Sequence, residues 1–161
     1  MNPVQVHLML THVPIVGTFI GFLTLVGSVL FRSHGVKVAA LIILLISAMT
    51  TVPVLFSGEL SEDTVAQIAG ISESDIEAHE EAAKPYFMIQ MALLLVAAFT
   101  LTAHWLKWKV ARYTVWAVIF ISLLSVLLSY YVGNTGGHIR HPEKSSQVQS
   151  GGHTTQETDD D

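Results

Sequence analysis

Histidine is the residue type whose number and placement in this chain point to chemistry. The sequence holds eight histidines in 161 residues and no cysteine. Without cysteine, thiolate ligands, iron–sulfur clusters and c-type haem attachment are excluded. Any bound metal or cofactor would therefore be held by histidine, carboxylate, methionine, tyrosine or backbone groups. Five histidines flank long apolar segments: His7, His12, His79, His138 and His141.

The spacing of these histidines limits which of them can act together. His138 and His141 are three residues apart and share one face if a helix continues past Gly137. His7 and His12 are five apart, which is about 140° around an ideal helix. Only one of the two should therefore face a bundle interior, so a pair of axial ligands with supporting residues is favoured over a single cage of five histidines.

Three glycines lie just before His138 and His141 in the sequence. Glycine near a ligating helix lets helices approach closely, or leaves room for a flat group such as a porphyrin. The glycines in question are Gly133, Gly136 and Gly137.

The elements that position these residues are predicted from four uncharged apolar blocks. The chain is 51% apolar and only 13% charged, and each block is long enough for a helix to cross about 30 Å of hydrocarbon. We predict an all-α integral membrane four-helix bundle formed by residues 1–143, with an outer helical loop at 58–83 and a disordered acidic tail at 144–161. The predicted spans are about 8–31, 37–57, 84–106 and 112–134.

Two local signals are present in the outer loop. Residues 60–70 are typical of a short helix that ends at a glycine. Ser74 and Glu77 have the spacing of a capping box, which predicts the start of a helix running into the third span.

Charge predicts the orientation of the bundle. Five of the eight basic residues lie in the two short links, one between the first and second spans and one between the third and fourth, and no acidic residue lies there. Short basic loops stay in the cytoplasm. Both termini and the middle loop are therefore predicted to be periplasmic, in the inner membrane of a bacterium, with the five histidines gathered at the periplasmic end. The basic residues are Arg32, Lys37, Lys107, Lys109 and Arg112.

Three interpretations of the histidine group stay open from the residues alone. The first is a b-type haem held by two histidines from different helices. The second is a non-haem copper, zinc or iron centre held by several histidines with Glu59. The third is a set of interfacial histidines that cap helix ends and contact lipid headgroups or partners.

For a haem, we predict His12 with His79 or His141 as the axial pair. His7 and His138 are then further ligands or partners of the propionates and of protons, and Arg140 is a candidate partner for a propionate. On the cytoplasmic side, His34 and His104 could form a second site, although their position favours an interfacial role.

The segment His7-Leu8-Met9-Leu10-Thr11-His12-Val13-Pro14-Ile15 resembles the opening of a bacterial four-span membrane family catalogued as domain of unknown function 2231. The similarity is extended by His79, by the Gly136-Gly137 pair and by His141, and it covers residues 1 to about 143. The chain departs from the family at His138 and in its long acidic outer loop. The resemblance implies four spans and an appearance similar to that of small membrane b-type cytochromes.

The predicted function is electron transfer through a histidine-ligated haem b near the periplasmic face. Membrane lipids and a periplasmic electron-transfer partner are the expected partners, with a homo-oligomer or a larger complex also open. The alternative function, of a different kind, is that of a non-catalytic accessory subunit that docks onto a larger membrane complex through its acidic outer loop. No nucleophile–base pair, phosphate loop or nucleic-acid surface is visible.

Overall fold

The computed structural model describes residues 3–68 and 71–140, with the side chains of 138–140 left out. The described residues form four helices, each long and apolar enough to cross a membrane. The predicted all-α architecture is therefore confirmed. The helices are α1 (Pro3–Leu30), α2 (His34–Ala66), α3 (Glu73–Trp105) and α4 (Ala111–Arg140).

The helices pack as a ring in which neighbours in sequence are neighbours in space. α1 contacts α2, α2 contacts α3, α3 contacts α4, and α4 closes the ring on α1. Leucine and alanine side chains fill the centre, with Leu25, Leu44 and Leu93 fully buried. Large apolar side chains also cover the outside, where Met88 is 71% and Leu95 70% exposed. An apolar exterior of this kind suits a lipid environment.

We name the two ends of the bundle by their charge. The acidic end holds the start of α1, the end of α2, the start of α3 and the end of α4; the basic end holds the α1–α2 and α3–α4 connections. At the basic end, α1 and α3 terminate in the same way. Arg32 and Lys107 adopt positive φ angles of 51° and 57°, and their side chains place positive charge at a helix C-terminus, where the dipole favours it.

The connection at the acidic end differs from the sequence prediction. The predicted short helix at 60–70 is not separate, because α2 continues unbroken to Ala66. The capping residue of α3 is Ser72 rather than Ser74: the Asp75 amide donates to Ser72 Oγ at 3.2 Å, and that hydroxyl donates to the Asp75 carboxylate at 2.7 Å. The serine two positions earlier is the one that combines an extended backbone with an acid three residues on.

One polar side chain crosses the apolar centre of the bundle. Gln90 of α3 is fully buried. Its amide donates to Thr18 Oγ1 of α1 at 3.1 Å and to the Tyr86 hydroxyl at 2.7 Å. A hydrogen bond between diagonal helices in an apolar bundle fixes their axial register, since sliding one helix would leave buried polar groups unpaired.

Candidate histidine site at the acidic end

His7, in the second turn of α1, faces α2. Its Nδ1 lies 3.1 Å from the Val54 carbonyl oxygen and 3.1 Å from Ser57 Oγ. The Ser57 hydroxyl donates its own hydrogen to the same carbonyl at 2.8 Å. The imidazole thus rests on one turn of α2, between a carbonyl and a hydroxyl.

These contacts determine the tautomer of His7. A carbonyl oxygen can only accept, so His7 Nδ1 must carry a hydrogen that it donates. The other ring nitrogen, Nε2, then holds the free lone pair of the neutral ring. Metal-ligating histidines have this arrangement, in which one ring N–H donates to a carbonyl and the opposite nitrogen binds the metal.

His79, in the second turn of α3, faces α4 in the same manner. Its Nδ1 lies 3.0 Å from Thr135 Oγ1, and Thr135 donates its hydroxyl hydrogen to the Val132 carbonyl at 2.9 Å. With its hydrogen on that carbonyl, the hydroxyl accepts from the Nδ1–H of His79. This arrangement is compatible with the same Nδ1–H tautomer as in His7, with Nε2 free.

The surroundings of His79 lower its pKa. Burial lowers the pKa of His79 below that of an ordinary histidine, and a positive charge on His7 lowers this pKa further. The hydrogen bond to the Val132 backbone and the charge of Glu80 act in the opposite direction. The net effect keeps His79 neutral at pH 7, which is the state that binds metals.

A glycine lies against each imidazole. A Cβ placed on Gly58 would come within 3.1 Å of His7 Cε1, and one placed on Gly136 within 3.2 Å of His79 Cε1. Any side chain at either position would push the ring aside. The close approach of the rings to α2 and α4 thus depends on glycine at these two positions.

Two of the glycines predicted to give clearance have a different environment. A Cβ on Gly133 or Gly137 would meet no atom within 4 Å, so these residues border open space. Of the predicted glycines with described surroundings, Gly136 is the one in contact with an imidazole. His138 and Arg140 belong to the last turn of α4, but their side chains, like His141 and the tail 144–161, lie outside the described residues.

His7, rather than His12, is the histidine of α1 that rests on a neighbouring helix. His12 is exposed, and its Nδ1 lies 2.7 Å from the carbonyl of Leu8, one turn earlier in its own helix. This agrees with the 140° separation, which allows only one of the two histidines to face a neighbouring helix. Glu59 is also exposed. Among the residues that the structure describes, no three histidine or acidic side chains are grouped to hold a metal ion.

His34 and His104 meet at the basic end. Their ring centroids are 4.1 Å apart with the planes inclined by 37°. The Nε2 atom of His104 is buried with no hydrogen-bond partner in the described part of the chain. The two imidazoles stack on each other instead of resting on separate helices.

Three functional contacts were missed by the sequence prediction: Ser57, Thr135 and Gly58. A signal for them exists. Val-x-x-Ser-Gly at 54–58 and Val-x-x-Thr-Gly at 132–136 are the same pattern at the ends of α2 and α4. The sequence prediction includes the glycines of the second copy, because His138 and His141 follow them, and does not include Gly58 of the first.

Comparisons with known proteins add no relative. No protein-family model, no curated protein and no solved structure matches the chain. The resemblance carried by the opening motif therefore stays an expectation.

Proposed function

We propose that this chain is a membrane electron-transfer protein that binds haem b at the acidic end, with His7 and His79 as the axial ligands. The observation that carries the proposal is the matched state of the two rings. Each Nδ1–H is occupied by a neighbouring helix, so each Nε2 is left as a donor. His7 replaces His12 in the axial pair predicted from sequence.

The residues present fit the group in number and in chemistry. A b-type haem needs two axial nitrogen ligands and no covalent attachment, and the chain offers two half-buried histidines and no cysteine. A non-haem copper, zinc or iron site ordinarily takes three or four protein ligands. Among the described residues no group of three or more such side chains is found, and we therefore propose haem ahead of the non-haem alternative.

When bound, the haem would supply one-electron redox chemistry. The chain's own contribution is to orient two imidazoles and to hold them neutral. Hydrogen bonding of Nδ1–H to an acceptor raises the donor strength of the opposite nitrogen and is one of the levers that set the potential of a haem. Since the proposed site lies at the acidic end, its electron partner is expected on that side, which the loop charges predict to be periplasmic.

The direct test is the optical spectrum and metal content of the full-length protein purified in detergent. We expect an oxidised Soret band that shifts and sharpens on reduction, with about one iron per chain. His7→Ala and His79→Ala should each abolish this spectrum. His12→Ala is the matched control, because it removes an exposed imidazole from the same helix, and it should leave the spectrum unchanged.

Three outcomes would overturn the proposal or its ligand assignment. A colourless protein that binds no iron when expressed with ample haem contradicts haem binding outright. Stoichiometric copper or zinc in place of iron would establish the non-haem alternative. Full haem retention in His7→Ala with loss in His12→Ala would restore the ligand pair predicted from sequence.

A further inference from the structure

The contacts of His7 and His79 are two copies of one arrangement. In each copy a histidine on one helix contacts a hydroxyl and the glycine that follows it in the next helix, and the hydroxyl donates to the carbonyl three residues earlier. The first copy uses Val54, Ser57 and Gly58, and the second uses Val132, Thr135 and Gly136. We call each copy a half-site.

The same duplication runs through the cores of α1 and α3. The separation of His7 and His79 is 72 residues, and the same offset relates every buried residue of α1 to a buried residue of α3. The alternating four- and three-residue spacing is common to helices packed in a bundle; the added observation is that the buried stripe has the same register relative to His7 in α1 as it has relative to His79 in α3. The α1 set is Pro14, Thr18, Gly21, Leu25 and Ser28, and the α3 set is Tyr86, Gln90, Leu93, Ala97 and Thr100.

α2 and α4 repeat with a constant offset as well. An offset of 78 residues relates Ser57 to Thr135 and also maps three buried α2 residues deeper in the bundle onto buried α4 residues. The α2 residues are Ala40, Leu44 and Ser47, and their α4 counterparts are Val118, Ser122 and Ser125.

The turns at the basic end have the same geometry at an offset of 75 residues, because α3 extends three residues further than α1 beyond the aligned buried set. The Ser33 amide donates to the Ser28 carbonyl at 3.0 Å, and the Trp108 amide donates to the Ala103 carbonyl at 2.9 Å. Each hydrogen bond spans six residues and closes the end of a helix. In each case the residue before the donor, Arg32 or Lys107, has a left-handed backbone conformation. The α1–α2 hairpin and the α3–α4 hairpin are therefore two copies of one unit.

The packing order determines how the copies are related. In a ring ordered α1, α2, α3, α4, exchange of α1 with α3 and of α2 with α4 is a rotation of 180° about the bundle axis. The Thr18–Gln90 hydrogen bond, between equivalent positions of the two copies, lies at this axis. A single ion bound equivalently by the two Nε2 atoms would lie on the same axis.

We infer that His7 and His79 are equivalent halves of one site, which holds a single metal ion on the pseudo-two-fold axis, with Ser57 and Thr135 as paired positioning residues. This inference rests on the proposed function for the identity of the group, the iron of a haem. Its symmetry, its stoichiometry and its positioning residues follow from the duplication and can be tested without haem.

The haem-independent test titrates the detergent-solubilised full chain with Cu²⁺, in a variant whose other six histidines are changed to glutamine. Imidazole is a good Cu²⁺ ligand. We expect one copper per chain and an electron paramagnetic resonance spectrum with hyperfine structure from two equivalent nitrogens. In the wild-type chain, which keeps its other histidines, His7→Gln and His79→Gln should each remove that signal. His12→Gln should leave it unchanged.

The role of the hydroxyls is tested by a substitution that the repeat itself suggests. Thr135→Ala should weaken Cu²⁺ binding about 10- to 100-fold, the usual effect of losing a group that orients a ligating histidine. Thr135→Ser should restore it, because it makes the second half-site identical to the first. A purely structural role for Thr135 would instead leave the copper affinity and the nitrogen hyperfine couplings unchanged.

The failures of the two proposals are distinguishable. One copper with two equivalent nitrogens in a protein that never binds haem would retain the symmetric site and reject the haem. Two coppers per chain, a single nitrogen ligand, or haem that survives the loss of either histidine would overturn the symmetric site. Absence of copper binding in both the glutamine background and the wild-type chain would overturn it as well.

Discussion

Two pairs of histidines lie at opposite ends of this bundle, and their surroundings differ. At the acidic end, His7 and His79 sit on diagonal helices, each with Nδ1 anchored to a neighbouring helix. At the basic end, His34 and His104 stack with their centroids 4.1 Å apart. The planes of these two rings are inclined by 37°, and the rings contact each other rather than separate helices.

The difference shows that the number of histidines at one end does not by itself define a site. What separates the pairs is the support around them: a carbonyl, a hydroxyl and a glycine for each ring at the acidic end. The basic end also carries the net positive charge of five Lys and Arg residues, and this charge disfavours a cation there.

The largest expected effect separates the two ends outright. Removing both stacked imidazoles in the double variant His34→Ala/His104→Ala should leave the haem or copper content unchanged, whereas His7→Ala alone should reduce it to background. Metal analysis of the purified proteins measures both. Loss of binding in the double variant, with folding intact by circular dichroism, would mean that the basic end is the site.

The next effect probes the glycine contacts. Gly58→Ala and Gly136→Ala should displace the imidazoles by a few tenths of an ångström and weaken ligand binding about tenfold. Alanine is more favourable than glycine in a helix by about 1 kcal/mol. A weaker affinity in these variants would therefore not be caused by a loss of helix stability. Gly137→Ala is the matched control, since nothing lies within 4 Å of its added Cβ. Equal affinity in all three variants would argue against ring positioning by these glycines.

A smaller effect is the pH dependence contributed by His79. Its pKa is lowered in the folded state, so between that value and about 6.5 the unfolded chain binds more protons than the folded one. Stability should therefore fall as the pH drops through this window, by less than about 1.4 kcal/mol per pH unit. Thermal unfolding of the metal-free protein at pH 7.5 and 5.5 measures the loss. It should be reduced in His79→Gln and unchanged in His12→Gln.

The smallest effect concerns the acidic residues beyond the site. The carboxylate of Glu80 on α3 raises the pKa of Glu62 on α2, with smaller contributions from burial, from a hydrogen bond to Glu80, and from Asp63 and Glu59. Glu62→Gln should raise Tm slightly at pH 7.5 by removing this repulsion. The gain should vanish in acid, where Glu62 is protonated, and shrink in high salt. A fall in Tm, or an equal rise in Glu77→Gln, would contradict this account.

The number of helices and their order could be predicted, because they depend on the residue composition of successive segments of the chain. Four uncharged blocks of membrane-spanning length require four helices, and the short links between them require neighbours to pack antiparallel. The helix ends were less predictable. Ser72 and Ser74 are both plausible caps from sequence, and α2 continues to Ala66 through residues that resemble a separate helix, because helix–helix contact extends it beyond the apolar block.

The candidate site was predictable in part. The five-residue step from His7 to His12 implies that only one of them faces a neighbour, but sequence cannot say which, since that depends on how α1 is rotated against α2. His12 was favoured, and the structure turns His7 inward. Ser57 and Thr135 were not predicted because a hydroxyl in an apolar helix has no distinctive signal until the ring that it contacts is known.

The sequence by itself determined the number of helices, their antiparallel order, the charge difference between the two ends and the gathering of histidines near one of them. Each follows from residue type and separation along the chain. Only the tertiary structure decided which histidines rest on a neighbouring helix, which groups their Nδ1 atoms contact and that two hairpins repeat one arrangement. These properties depend on the rotation of each helix about its axis, which the packing of all four helices sets together.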